Sequence, residues 1–224
     1  MGKRLEIENL TFSFKDKEIL KEANYIFEEG NIYVVIAKNG EGKSTLFKLI
    51  GGEYKDYTGD IKGNANAMLH KQTPVYFEDM TVQENIETFI YCLNSKKKAK
   101  DVLEEYELTD IKNRVCRLLS GGEKQRLYIA ITGLTEEDVY LYDEADSALD
   151  AIGRKFYYDI LKKRAKEGKI VIAITHHLTE AINIADEVCF MTNNMLKRIE
   201  LRNLPSDFMQ YNEDAMLSYL GSEV

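Results

Sequence analysis

Apolar and polar residues divide the chain into alternating, continuous and helical stretches. From Leu5 to Phe14 the apolar positions Leu5, Ile7, Leu10, Phe12 and Phe14 largely alternate with polar ones, the period of a strand with one buried face. A second stretch of this kind ends near Phe27. After the turn Glu28-Glu29-Gly30-Asn31, the run IYVVIA (Ile32 to Ala37) is apolar throughout, which predicts a parallel strand covered on both faces. STLFKLIGG then reads as a helix closed by Gly51 and Gly52. From about Pro74 to Leu118 no strand-like run occurs, and Ile86, Phe89, Ile90 and Leu93 recur at helical spacing. A second helix is expected after Asn94-Ser95, with Ala99, Val102, Leu103 and Tyr106 on one face. VYLYD (Val139 to Asp143) and KIVIAIT (Lys169 to Thr175) are further buried-strand runs, separated by a helical stretch from Ala151 to Glu167. VCFM (Val188 to Met191) and LKRIEL (Leu196 to Leu201) read as late strands. The tail after Pro205, with Phe208, Met209, Met216, Leu217 and Leu220, reads as a helix packed on the body.

This alternation of strand and helix predicts an α/β fold with a mainly parallel sheet, crossover helices and a ligand at the carboxyl ends of the strands. A chain of 224 residues, 44% hydrophobic, has enough apolar surface for one such domain. The expected division is a core over 1–73 and 119–204, a helical insert over 74–118 and a helical tail over 205–224. A net charge of -8 disfavours general attraction to nucleic acid or anionic lipid. Lys96, Lys97, Lys98 and Lys100 are read as the solvated outer face of the insert's second helix, not as a nucleic-acid patch. Cys92, Cys116 and Cys189 form no CxxC pair and fit free thiols in a reducing compartment. With no signal-peptide core and no run long enough to span a bilayer, a cytoplasmic location is expected.

Candidate chemistry begins where the first buried strand ends. Ala37, Lys38, Asn39, Gly40, Glu41, Gly42, Lys43 and Ser44 follow the phosphate-loop pattern G-x-x-x-x-G-K-[ST] except at the first glycine, with Thr45 next. Gly40 and Gly42 let backbone N–H groups turn inward around an anion, Lys43 reaches the β and γ phosphates, and Ser44 offers a hydroxyl oxygen to Mg²⁺. The following helix points its N-terminal dipole at the same phosphates. Ala37 is tolerable there provided that its φ stays negative. The strand Val139–Asp143 should lie beside this loop, with Asp143 helping to hold Mg²⁺ and Glu144 placed to orient and deprotonate an attacking water.

At LSGGEKQR (Leu119 to Arg126) the chain resembles the nucleotide-binding domain of ABC ATPases, and the resemblance covers nearly the whole sequence. It implies a P-loop NTPase fold of ABC type: a mainly parallel core, an N-terminal antiparallel β-subdomain and a helical insert. Ser120 reads as an N-cap, with Gly121 and Gly122 leaving N–H groups open; the resemblance implies that they meet the γ-phosphate bound by a second protomer, so that two copies close head to tail on two ATP molecules. Gln72, in HKQTPVYFEDMTVQENI, matches the glutamine that touches Mg²⁺ and the attacking water. Asp146 to Asp150 matches the D-loop, His176 the switch histidine on the γ-phosphate, and Phe14 the aromatic that stacks on adenine. Three positions depart from the family's common pattern: Ala37 for glycine, Glu123 for glutamine and Ala145 for proline.

The function implied is an ATP-hydrolysing subunit, peripheral on the cytoplasmic face, that powers a separate transmembrane permease whose identity sets the cargo. DIKNRVCRL (Asp110 to Leu118) lacks the TxVGExG string of type I exporters, which argues against a detached domain of a fused exporter. The alternative is an ABC ATPase without transport duty, of iron–sulfur assembly type. A regulatory module without turnover would leave Glu144 idle.

Overall fold

A computed structural model describes residues 2–63, 67–71, 75–205, 207–208, 211 and 213–222. They form two compact units, Met1–Leu69 with Glu137–Glu144 and Tyr158–Val224, and His70–Glu136 with Ala145–Tyr157.

In the first unit, β1 (Arg4–Phe14) pairs antiparallel with β2 (Lys17–Glu28) and with β4 (Thr58–Lys62), in the order β2-β1-β4. The alternation seen in the sequence is one-sided burial: Leu5, Ile7, Leu10 and Phe12 point inward. It breaks at Asn9, whose φ of 48° accompanies register shifts against both neighbours, a bulge in β1. The second sheet runs β5-β6-β7-β3-β8-β9, built from β3 (Ile32–Ile36), β5 (Ala67–His70), β6 (Val139–Asp143), β7 (Ile170–Ile174), β8 (Glu187–Thr192) and β9 (Met195–Ile199). β6, β7, β3 and β8 run parallel, and β9 returns antiparallel to β8. All five residues of β3, β6 and β7 are buried, so their sequences are apolar up to the terminal Asp143 of β6, where β1 alternates. Helix α1 (Lys43–Ile50) packs Leu46, Phe47, Leu49 and Ile50 into the core with Phe27, Val35 and Leu141. The other face of the sheet carries α6 (Leu178–Ile182) and the tail helix α7 (Glu213–Ser222), with Phe208, Met216, Leu217 and Leu220 packed beside Val34 and Ile36.

In the second unit, α2 (Val82–Cys92), α3 (Ala99–Glu105) and α4 (Gly121–Thr132) are joined by short 3₁₀ turns at Thr109–Ile111 and Cys116–Leu118. The chain then enters α5 (Ala151–Lys166). Capping boxes start two of these helices: Thr81 with Glu84 on α2, and Ser120 with Glu123 on α4. Val102, Leu103 and Tyr106 are buried as the helical spacing predicts.

The structure differs from expectation in three places. The short strands β4 and β5 have no counterpart in the sequence pattern, because TGDIK is mostly polar and AMLH is too short for a period. Helix α3 begins only at Ala99, so Lys96, Lys97 and Lys98 precede it; Ser95 Oγ donates to the Leu134 carbonyl at 2.6 Å and does not cap a longer helix. Lys97 and Lys100 face Glu105 and Glu104, which offsets two of the four positive charges. Finally, β7 lies between β3 and β6, so Asp143 reaches the phosphate loop from two strands away.

Candidate functional site

β3 delivers the chain into the loop 37–42, and Gly42 starts α1 with a φ of 104°. A Cβ at this position would stand 2.3 Å from Ile19 Cγ2, so glycine is required both by conformation and by space. No side chain caps α1 and no acid occupies its first turn, which leaves its leading N–H groups and the positive end of its dipole to an outside anion. Ala37 is buried and keeps out of the positive-φ region, so the missing glycine costs the loop no strain. Lys43 Nζ folds over the loop and donates to the Ala37 carbonyl at 2.9 Å. Glu41 closes the loop's base by accepting from Lys38 N at 3.0 Å. Loop residues between Asn39 and Thr45, with Phe14, Ile19 and Glu144, line a cleft of about 330 Å³. Phe14 stands at its mouth half exposed, available to stack on a planar group.

Lys17 also lines this cleft, and sequence reading missed it. Its Nζ donates to the Gly40 carbonyl at 2.8 Å, so a second ammonium stands at the loop beside that of Lys43. The available signal was position: Lys17 opens the strand that follows the exposed Phe14, three residues on.

Asp143 ends β6 with only 7% of its surface exposed, and its Oδ1 has no hydrogen-bond partner among the described residues. Burial pushes its carboxyl above the ordinary value; a hydrogen bond from Ser44 opposes this, the neighbouring Glu144 adds to it, and Lys48 and Lys43 oppose it. An orphaned buried carboxylate oxygen next to a hydroxyl is a donor set that fits a hard divalent cation. Glu144 follows with a φ of 52°, a left-handed conformation that non-glycine residues seldom hold without structural support. The support is visible: Glu144 N donates to the Ile174 carbonyl at 2.9 Å, and His176 Nε2 stands 2.9 Å from Glu144 Oε1. An ionised carboxylate only accepts, so the proton lies on the imidazole nitrogen. The backbone N–H of the neighbouring His177 donates to Thr175 Oγ1 at 2.9 Å.

The LSGGE string sits in the other unit. Ser120 N donates to Glu123 Oε2 at 2.7 Å, and Glu123 N returns the bond to Ser120 Oγ at 3.3 Å. A Cβ at Gly121 or Gly122 would come no nearer than 3.8 and 3.7 Å to the D-loop residue Ala148, so packing inside the unit does not demand glycine at either place. Gln72 lies outside the described residues. The TVQENI segment after it has a structural anchor, buried Asn85, which accepts from Phe77 N at 2.7 Å and donates to the carbonyls of Phe77 and Thr81.

The family description "ABC transporter" matches residues 20–147. The chain belongs to the ABC transporter ATP-binding family. It is similar to the energy-coupling factor transporter ATP-binding protein EcfA1 of Fusobacterium nucleatum, with 32% identity across 86% of this chain and 80% of the relative. It is also similar to the zinc import ATP-binding protein ZnuC of Wolbachia pipientis, 33% identical across 85% and 80% of the two chains. A solved structure titled "Structure of ATP binding subunit of ABC transporter" superposes with a TM-score of 0.81 over 97% of this chain and 99% of its own, at 21% identity, so the fold expectation holds. The chain is an ABC-type ATPase, as the signature string implies. Among the described residues no helix is long and apolar enough to cross a membrane. Of the family departures, Ala145 is fully buried, and Glu123 completes a capping box in which Glu and Gln are equally suited.

Proposed function

We propose that the chain is the ATP-hydrolysing subunit of a transporter, peripheral on the cytoplasmic face, and powers a separate transmembrane permease. Two protomers close head to tail on two ATP molecules. The observation that carries this reading is the separation of two phosphate-directed surfaces on one chain: the loop 37–45 on one compact unit, and Ser120 with the open N–H groups of Gly121 and Gly122 on the other. The glycine pair supports approach from outside, since nothing among the described residues of its own unit calls for it. Names of the relatives, an energy-coupling factor transporter and a zinc importer among them, support transport over an ATPase without transport duty.

Within the site, Phe14 stacks on the adenine, and the N–H groups of the loop and the Lys43 ammonium hold the β and γ phosphates. Ser44, Gln72 and Asp143 would hold Mg²⁺, which when bound neutralises phosphate charge as the γ-phosphoryl group leaves. Glu144 accepts the proton of the attacking water, and His176, already paired with it, holds the carboxylate in place and contacts the γ-phosphate. Ser120 and its two glycines complete the partner's site.

Glu144→Gln keeps the side chain's size but removes the proton acceptor. Hydrolysis should fall by about 10²-fold or more, while ATP binding persists and an ATP-bound dimer accumulates in light scattering. Unchanged turnover would remove Glu144 from the role of base, and a monomer at saturating ATP would remove the dimer.

A further inference from the structure

The signature string of this chain contains an acid, Glu123, where the reading above brings in a neighbour's triphosphate. Its surroundings show how the charge is met. Arg114 Nη1 donates to Glu123 Oε1 at 2.6 Å, while the same guanidinium donates through Nη2 to the Leu118 carbonyl at 2.9 Å. The arginine thus spans the entrance of the signature turn, holding the backbone one residue before Leu119 and the carboxylate three residues after Ser120. Glu123 Oε2, its other oxygen, is taken by Ser120 N. Partial burial pushes the Glu123 carboxyl up, but the bonds from Ser120 and the pairing with Arg114 outweigh it and keep the group below its ordinary value, so it stays ionised at neutral pH.

Arg114 is itself fixed from behind. Its carbonyl accepts Val82 N at 3.0 Å, Cys116 N donates to Met80 O at 2.9 Å and Arg117 N to Glu78 O at 2.9 Å, with a bridge between Thr81 and Val115. This ladder ties the segment before the signature to the start of α2, within one unit.

We propose that Arg114 is a positioning residue for the phosphate-binding turn that acts through its charge: it neutralises Glu123 so that Ser120 and the glycine N–H groups meet the partner's ATP without an opposing charge. The inference rests on the composite-site reading above. A purely mechanical clamp would matter equally whatever stood at 123; a charge-compensating one matters only while 123 is an acid.

The test is a double-mutant cycle of Arg114→Met and Glu123→Gln, each in the full chain carrying Glu144→Gln, with the ATP concentration for half-maximal dimer formation as the readout. Arg114→Met should raise that concentration by roughly three- to tenfold, an effect that shrinks with added salt. Glu123→Gln alone should stay near the parent, and Arg114→Met with Glu123→Gln should return to it. Arg114→Lys, which keeps the charge and is the milder change for folding, should retain most of the affinity. If Arg114→Met costs as much in the presence of Glu123→Gln as it does with Glu123 intact, charge compensation is overturned while the composite site stands. A parent that dimerises with ATP equally well after Ser120→Arg would overturn the composite-site reading instead, and this inference with it.

Discussion

Gly42 illustrates how one residue serves fold and ligand together. Its positive φ turns the chain from loop into helix, and the absence of a Cβ lets Ile19 close on the loop from β2. Gly42→Ala should therefore destabilise the protein by about 1–3 kcal/mol and remove nucleotide binding. Thermal unfolding and a titration with a fluorescent ATP analogue check this, and wild-type affinity in that variant would contradict it. Ala37 stands in contrast, since its conformation is one any residue adopts. Lys17 yields a second expectation at this scale. If its ammonium gives up the Gly40 carbonyl for phosphate when nucleotide arrives, Lys17→Met should weaken ATP binding by about fivefold, the size of one partly exposed charge contact. An unchanged affinity would confine Lys17 to bracing the loop. Asp143, Glu144 and the loop were legible in the sequence because motif and element coincide there; Lys17 was not, because it meets the loop through a side-chain bond to a carbonyl 23 residues away that no local pattern encodes.

At the scale of elements, apolar periodicity announced β1 and α2, and continuous apolar runs announced β3, β6 and β7, which are buried throughout. It failed for β4 and β5, whose places are set by their neighbours and not by their own composition, and for the start of α3, which is decided by Ser95 bonding elsewhere. The caps were partly legible: Ser120 was recognised, but the reciprocal role of Glu123 and the equivalent box at Thr81 and Glu84 needed coordinates. Glu84 has a carboxyl held below its ordinary value by hydrogen bonds from Thr81 N, first, and Thr81 Oγ1. A folded-state value below the unfolded one means that the stabilisation is complete above the usual carboxyl range, about pH 4.3, and is lost as pH falls through the depressed value. The Glu84→Gln variant keeps the box's geometry without its charge. Melting temperatures of the two proteins should therefore converge on acidification, and curves that stay parallel would contradict this account of the cap.

For the whole molecule, the sequence read as one nucleotide site, and only the resemblance carried by LSGGEKQR divided it between two protomers. The loop, Asp143, Glu144 and His176 belong to one compact unit; Ser120, Gly121, Gly122 and the D-loop belong to the other. If each site combines the loop of one copy with the signature of the next, damage to the two halves must complement. Lys43→Ala disables a protomer's own loop, and Ser120→Arg blocks what it offers to its partner, so each variant alone should hydrolyse no ATP. Mixed, they form some dimers in which one site has both intact halves and the other has both broken. The steady-state ATPase rate of that mixture is the most direct measurement of the central claim. Activity that reappears on mixing is the result predicted, and a mixture as inactive as its components would contradict a site shared head to tail.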